Sequence, residues 1–507
     1  MRTSRTLAAL IAAASLPLLP ALAGPAAAAD GTTYYVDCRG GSDGAAGTSA
    51  GDAWRTLGRA NSVVLGPGDR VLFRRGTACT GTFAPQGSGA PGAPVAAGAY
   101  GSGAKPKIKG AGARAAVLLE NVQHWELRDL DVSNSGAPTT TDRRSGVLVR
   151  LTDFGTGSHY VVDGVDVHDV NGADFKDPDP SGGILFVVRG TATPTRFDGI
   201  TVTDSTVRHV DRTGMGTASS WGKRPEHPNS SAPGWAPNTD IRFERNTLED
   251  LGGDGIVLQH GTDALVQHNL VDGFNMRSAG YNAGIWAWNF DRALYQFNEV
   301  TGGHGTRDSQ AFDFDGGNNG NVYQYNYSHD NEGGFLLVCN GAGMTTSNNV
   351  FRYNVSVDDR NTASPYGVIA VVCGPSANTQ VYNNTIVANE PGYAMVSTNN
   401  AGGVTFRNNV FASAVPGGLP IKDSANTYAN NLYWGVTGIP AGDTAAVVAD
   451  PRLADATPDS PQGLRLRTGS PALGAGTVID GAGDRDYYGN PLAVPPNIGA
   501  YQGGGVR

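Results

Sequence analysis

Residues able to do chemistry crowd together near position 310. In Ala311-Phe-Asp-Phe-Asp315 apolar and acidic residues alternate, so an extended strand would project Asp313 and Asp315 from one side and Phe312 and Phe314 from the other. A third carboxylate, Glu332, follows in Asp330-Asn-Glu-Gly-Gly334. Crowded carboxylates do not all ionise together: one keeps its proton while a neighbour stays charged. A protonated acid beside an ionised partner is what glycosidic-bond cleavage needs. The two groups sit about 5–5.5 Å apart when the carboxylate attacks directly and about 6.5–9.5 Å apart when it activates a water. Asp313 or Asp315 is expected as nucleophile or base and Glu332 as the general acid. The competing reading is that an outward Asp is simply a solvated residue that discourages strand-to-strand association.

The preceding strand, Gly284-Ile-Trp-Ala-Trp288, places Trp286 and Trp288 at the positions equivalent to Asp313 and Asp315. Exposed tryptophans offer flat apolar surfaces on which sugar rings stack; the alternative is burial under the long segment Thr217 to Asn238, which carries Trp221, Lys223, Arg224, His227 and Trp235. His304, Arg307 and Asp308 lie in the turn before the acidic strand and are expected to orient substrate or water. β-Elimination from a uronate would instead need a cation and a base, for which Arg277, Tyr281, Arg292, Arg307, Lys223 and Arg224 are available, and an Asp cluster could hold Ca²⁺ through oxygen ligands. The hydrolase reading requires no cofactor. No His pair has metal-ligand spacing and no Cys-x-x-Cys occurs, so His260, His268 and His329 read as turn or surface residues.

What must position these residues is a repeat. An apolar residue, two others and an Asn recur as Phe243…Asn246, Val266…Asn269, Tyr295…Asn298, Tyr323…Asn326, Phe351…Asn354, Val381…Asn384 and Phe406…Asn409, at spacings of 23, 29, 28, 28, 30 and 25. That is too short for a strand–helix–strand unit and ample for short strands joined by turns. Second strands follow, aligned by Ile256, Ile285, Phe312, Phe335 and Val368. A parallel β-helix accounts for the pattern, each coil burying one side of its strands and pairing with the coils on either side. The recurrent Asn is then a turn residue that tolerates left-handed backbone and bonds its equivalent in the next coil. Asn326-Tyr-Ser328 and Asn354-Val-Ser356 also match N-glycosylation acceptors, but the Asn recurs at Asn269 and Asn298 where no acceptor follows. Weaker copies begin at Trp125, Tyr160 and Phe197, with Asp or Ser at the turn.

Three further stretches carry a resemblance: Thr33-Tyr-Tyr-Val-Asp37 with Gly40-Gly-Ser-Asp-Gly44; Trp54-Arg-Thr-Leu57 before Gly66-Pro-Gly-Asp-Arg-Val-Leu-Phe73; and Asp486-Tyr-Tyr-Gly-Asn-Pro491 with Asn497-Ile-Gly-Ala-Tyr501. With the repeat, they resemble the right-handed parallel β-helix proteins of the pectate-lyase-like superfamily over most of the chain. The resemblance implies an all-β solenoid with an N-terminal cap and an irregular closing segment, and membership among secreted polysaccharide lyases or glycoside hydrolases. The expected organisation is a signal peptide over 1–29, cap and first coils over 30–115, repeats over 116–412 with a projecting loop at 217–238, and closing coils over 413–507.

Composition agrees. Gly is 72 of 507 residues and charged residues are 16%, a poor mixture for helices. The net charge of −9 disfavours nucleic acid as partner. Arg2 and Arg5 precede an apolar run to Ala23 that reads as an export signal, cleaved after Ala23 or, preferably, Ala29; no other run is long enough to span a membrane. In an oxidising compartment four cysteines permit two disulfides, and sequence order suggests Cys38–Cys79 and Cys339–Cys373. The expectation is a secreted, monomeric glycoside hydrolase acting on a polysaccharide. A polysaccharide lyase and a non-catalytic carbohydrate-binding or adhesive β-helix are the alternatives.

Overall fold

The computed structural model describes residues 31–507 apart from 177, 342, 362–364 and 456; the expected signal peptide lies outside them. Three long sheets of 14, 14 and 12 strands run the length of the molecule, and each strand pairs in parallel with its equivalents one coil away. The chain is a right-handed parallel β-helix. Inward side chains fill one continuous core in which like residues stack, as with Tyr295 on Tyr323 at 4.2 Å between ring centroids. The two disulfides are Cys38–Cys79 and Cys339–Cys373.

The Asn repeat forms a ladder at the corner between the first and second sheets. From Asn246 through Asn269, Asn298, Asn326, Asn354, Asn384 and Asn409 to Asn431, each Nδ2 donates to the next Oδ1 at 2.9–3.1 Å. The same oxygen accepts the preceding ladder residue's backbone N–H, as Asn354 Oδ1 does from Asn326. Ser205 occupies the position before Asn246, and the ladder ends on Asp443, which accepts from Asn431 Nδ2 at 3.0 Å. Asn326 and Asn354 are fully buried, so both acceptor motifs serve the ladder. The left-handed residue is not the ladder Asn, as the turn chemistry predicted, but the one before it: Arg245, His268, Phe297, Tyr325, Tyr353, Asn383, Asn408 and Asn430 have φ of 49–57°. This turns those side chains outward. Phe297 stacks between His268 and Tyr325 at 5.0 and 5.2 Å, and residues of the closing segment, including Ile479 and Leu492, cover the stack.

Part of the glycine excess has a cause other than turn conformation. At the entrance to the third sheet Gly183, Gly214, Gly255 and Gly284 stack so closely that an added Cβ would lie 2.3–2.7 Å from a carbonyl oxygen of the next coil. Coils can approach at that corner only without side chains.

Candidate active-site groove

The third sheet carries the candidate residues on its outer face. Ile256 pairs with Ile285, Ile285 with Phe312, and Trp286 directly with Asp313, as aligned from the sequence. Beyond Phe312 the register differs by one residue from the expected alignment: Phe312 pairs with Leu336, not Phe335, and Leu336 with Ile369, not Val368. Gly334, at φ of 108°, adds a residue at the corner, and only glycine adopts that backbone freely. The outward residue beside Asp313 is therefore Leu337, which packs with Ala370 and Val372. The acidic strand thus has tryptophans on one side and an apolar patch on the other.

Trp286, Trp288 and Asp315 line a groove of about 640 Å³ with Lys176, Gln259 and His260, within the roughly 300–1,000 Å³ typical of small-molecule sites. Trp286 is not the exposed platform expected: it is 4% exposed, its Nε1–H donates to Asp254 Oδ1 at 3.0 Å, and the Lys176 ammonium lies 4.2 Å above its ring. Trp288 keeps partial exposure, with the His227 ring packed edge-on at 5.6 Å. The Thr217–Asn238 segment walls the groove rather than covering both indoles. Buried Arg224 staples it to the coils, donating to Asn289 Oδ1 at 2.6 Å, to both oxygens of Asp291 and to the Gly317 carbonyl.

Asp308, Asp313 and Asp315 form one electrostatic cluster. Burial, opposed by backbone N–H donors, pushes Asp308 up to about 6. Its Oδ1 accepts from the backbone N–H groups of Asn282 and Ser309 at 2.8 and 3.0 Å. Burial likewise raises Asp315 to about 7, with the Gly316 N–H and the Lys176 charge pulling the other way. Asp313 is pushed well above the carboxylate range, first by burial and then by Asp315 and Asp308, and its Oδ1 is buried without a hydrogen-bond partner. At neutral pH the cluster holds protonated and ionised carboxyls side by side.

Glu332 stands elsewhere. Its Oε2 is 2.7 Å from His304 Nδ1 and accepts from the Gly305 N–H, and its side chain is 40% exposed. The charges that weigh most on Asp313 belong to Asp315, Asp308, Lys176 and Asp254, and those on Asp315 to Lys176, Asp308 and Asp254. His304 is spent on Glu332, and the Arg307 guanidinium lies 4.9 Å over the exposed Tyr281 ring. Among the residues that elimination would require, Arg277 is paired with Asp211 and Asp250 and Arg292 with Asp263. Among the described residues, no group of three or more His, Cys, Asp or Glu side chains is placed to hold a metal ion, so the carboxyl cluster does not fit the Ca²⁺ considered above.

Asp254 and Lys176 escaped the sequence reading. Asp254 is fully buried, paired with Arg212 at 2.9 Å, and the Arg212 Nε is 2.9 Å from Asp174, which tethers the segment carrying Lys176. Lys176 Nζ donates to the Tyr281 carbonyl, 105 residues away in sequence. The available signal for Asp254 was its place in Gly252-Gly-Asp-Gly255, just before an aligned strand.

No family model matches the chain. Aligned over 93% of its length, the chain is 27% identical to a lacto-N-biosidase of Bifidobacterium longum subsp. longum, and spans 36% of that protein. Among solved structures, the GH136 lacto-N-biosidase of Eubacterium ramulus superposes with a TM-score of 0.64 at 24% identity, over 78% of this chain and 67% of that one. XylC in complex with xylose gives 0.53 at 11% identity, over 93% and 98%. Fold and likeness place the chain among the right-handed parallel β-helix proteins. Within that class it is similar in sequence along nearly its whole length to a glycosidase. Among the described residues no helix is long and apolar enough to cross a membrane.

Proposed function

We propose that the protein is a glycoside hydrolase of the lacto-N-biosidase type, releasing a disaccharide from a larger glycan. The observation that carries this reading is the cluster of carboxyls with raised proton affinity, one of which, Asp315, lines the groove. Asp315, raised to about 7, lines the groove beside Trp288 and holds a proton at mildly acidic pH. Asp308, at about 6 and held by two backbone N–H donors, is mostly ionised above pH 6. Two carboxyls whose environments separate their proton affinities divide into acid and ionised partner. Asp315 donates its proton to the glycosidic oxygen as the bond to the anomeric carbon breaks, the Asp308 carboxylate meets the positive charge developing on that carbon, and water then adds there, returning its proton to Asp315. Asp313, also neutral, spares the cluster a second negative charge. In this reading Asp308 takes the nucleophile or base role expected of Asp313 or Asp315, and Asp315 the acid role expected of Glu332. The likeness to the Bifidobacterium relative supports the reaction class.

A carbohydrate substrate, export to the cell exterior and a monomeric state belong to the same reading, and the two disulfides support export. The test is hydrolysis of 4-nitrophenyl β-lacto-N-bioside and of a glycan panel by the full chain and by Asp308→Asn and Asp315→Asn. Reducing ends should appear without the ultraviolet absorbance of an unsaturated uronide, and both variants should lose most activity on glycans. Ultraviolet-absorbing products, or full activity in either variant, would refute the proposal.

A further inference from the structure

The groove contains two buried polar side chains that no step of the proposed reaction uses. Gln259 is 6% exposed; its backbone N–H donates to the Thr217 hydroxyl, while its side-chain amide makes no hydrogen bond among the described residues. His260, 8% exposed, follows it on the same strand. Consecutive strand residues ordinarily point to opposite faces. Here the left-handed backbone of His260, at φ of 55°, breaks the alternation, and both side chains line the groove.

The His260 ring is fixed by a chain of bonds that begins at the stapled loop. Arg224 Nε donates to Asn289 Oδ1 at 2.6 Å, which sets the direction of that amide. Asn289 Nδ2 then donates to the Gly222 carbonyl at 2.7 Å and meets His260 Nδ1 at 2.9 Å. An amide NH₂ is a donor only, so Nδ1 accepts and the ring proton resides on Nε2. Gly222 packs against the ring so closely that a Cβ there would lie 2.3 Å from Cε1. Burial, with the positive charges nearby, drives the imidazole down to about 3 and keeps it neutral at working pH. Nε2–H is left as a single oriented donor that does not change with pH.

We infer that Gln259 and His260 read the sugar seated against Trp288, and that they select a neutral glycosyl unit presenting an acceptor oxygen to His260 and a donor–acceptor pair to the Gln259 amide. A site built to hydrogen-bond a substrate group rejects analogues lacking it, because its own buried polar atoms are then left unpaired. A carboxylate-bearing sugar finds no compensating charge here, because His260 is neutral and the Lys176 ammonium is already matched by Asp254 at 3.6 Å. Both residues are specificity determinants, and Arg224 and Asn289 are positioning residues that act through His260. The inference rests on the glycosidase reading of the groove, and its test separates the two.

The test uses the full chain with His260→Leu, His260→Gln, Gln259→Ala and Asn289→Asp. Calorimetry with lacto-N-biose gives binding without turnover, and 4-nitrophenyl β-lacto-N-bioside gives KM and kcat. His260→Leu and Gln259→Ala should each raise KM and the disaccharide Kd about 10- to 100-fold, with kcat within about threefold and both limbs of the pH profile unmoved. His260→Gln, which restores an N–H donor, should recover most of the binding. Nitrogen-15 NMR of labelled histidine should find His260 in the Nε2–H form, moving to Nδ1–H in Asn289→Asp. Unchanged Kd in both His260→Leu and Gln259→Ala, or an Nδ1–H ring in the native protein, overturns the inference. Disaccharide binding that depends on these residues in a protein that cleaves nothing refutes the hydrolase and leaves the inference standing. No binding of any neutral sugar refutes both.

Discussion

Asp315→Asn tests the division of labour most directly. With Asp308 near 6 and Asp315 near 7, the productive form, Asp308 ionised and Asp315 protonated, is about 0.6 of the enzyme at pH 6.5 and about 0.1 at pH 5 and at pH 8. The native kcat/KM should therefore be a bell centred near pH 6.5 that falls about sixfold 1.5 units to either side. Asparagine cannot donate a carboxyl proton, so in Asp315→Asn the alkaline limb should vanish while the acid limb of Asp308 stays. For a glycan, whose leaving alcohol needs protonation, the rate should drop by about 10²–10⁴. For the 4-nitrophenyl glycoside, whose leaving group departs as an anion, the loss should be about tenfold or less. Initial rates from pH 4 to 9 on both substrates make the measurement. An alkaline limb that persists in Asp315→Asn, or equal losses on the two substrates, would refute the assignment of the acid.

Other consequences concern the same cluster and the frame beneath it. Glu332→Gln should leave kcat/KM on the glycan within about threefold, because Glu332 is bound to His304 at the surface; a hundredfold loss would return it to the chemistry. Asp313 has its proton affinity raised by folding, so its contribution to stability is complete below pH 4 and fades as pH rises toward its folded value. Asp313→Asn should accordingly gain stability relative to the native protein as pH rises from 4, read by denaturant melts at pH 4, 6 and 8; a difference independent of pH would contradict this. Asn326→Ala removes the acceptor for the buried Asn298 Nδ2–H and backbone N–H, and should cost about 3–6 kcal/mol. Its hydrogen exchange should accelerate first at the neighbouring coils, and uniform acceleration along the chain would argue against a local ladder.

The sequence reveals what repeats. Stacked asparagines, Trp286 beside Asp313 and the two disulfides all follow from aligning like with like. Corners are less legible: one added residue at Gly334 shifts every outward assignment on the next strand from Leu336 and Val338 to Leu337, and nothing in local composition announces it. Strand spacing alone puts Glu332 near the cluster, and its carboxylate pairs with His304 at 2.7 Å. Lys176 reaches the groove on a segment anchored by Asp174 to Arg212 and Ser278, the latter 104 residues away, and no periodicity records such a contact. His260, expected in a turn or at the surface, is instead buried within a strand, and its left-handed backbone carries the ring into the groove.

The end of the asparagine ladder bears on how these molecules behave in crowds. A solenoid is open at both ends, and an exposed terminal coil is a template on which a second copy could continue the stack into a fibre. Every asparagine in the row both gives and receives, so the row alone would hand its pattern to whatever came next. Asp443 receives only: its two oxygens take the N–H groups of Asn430 and Asn431, the Asn431 amide and the Tyr433 hydroxyl, and it has no proton to pass on. One carboxylate thus gives the row a terminus, and Asp443→Asn would restore a donor to the one position in the row that now only receives.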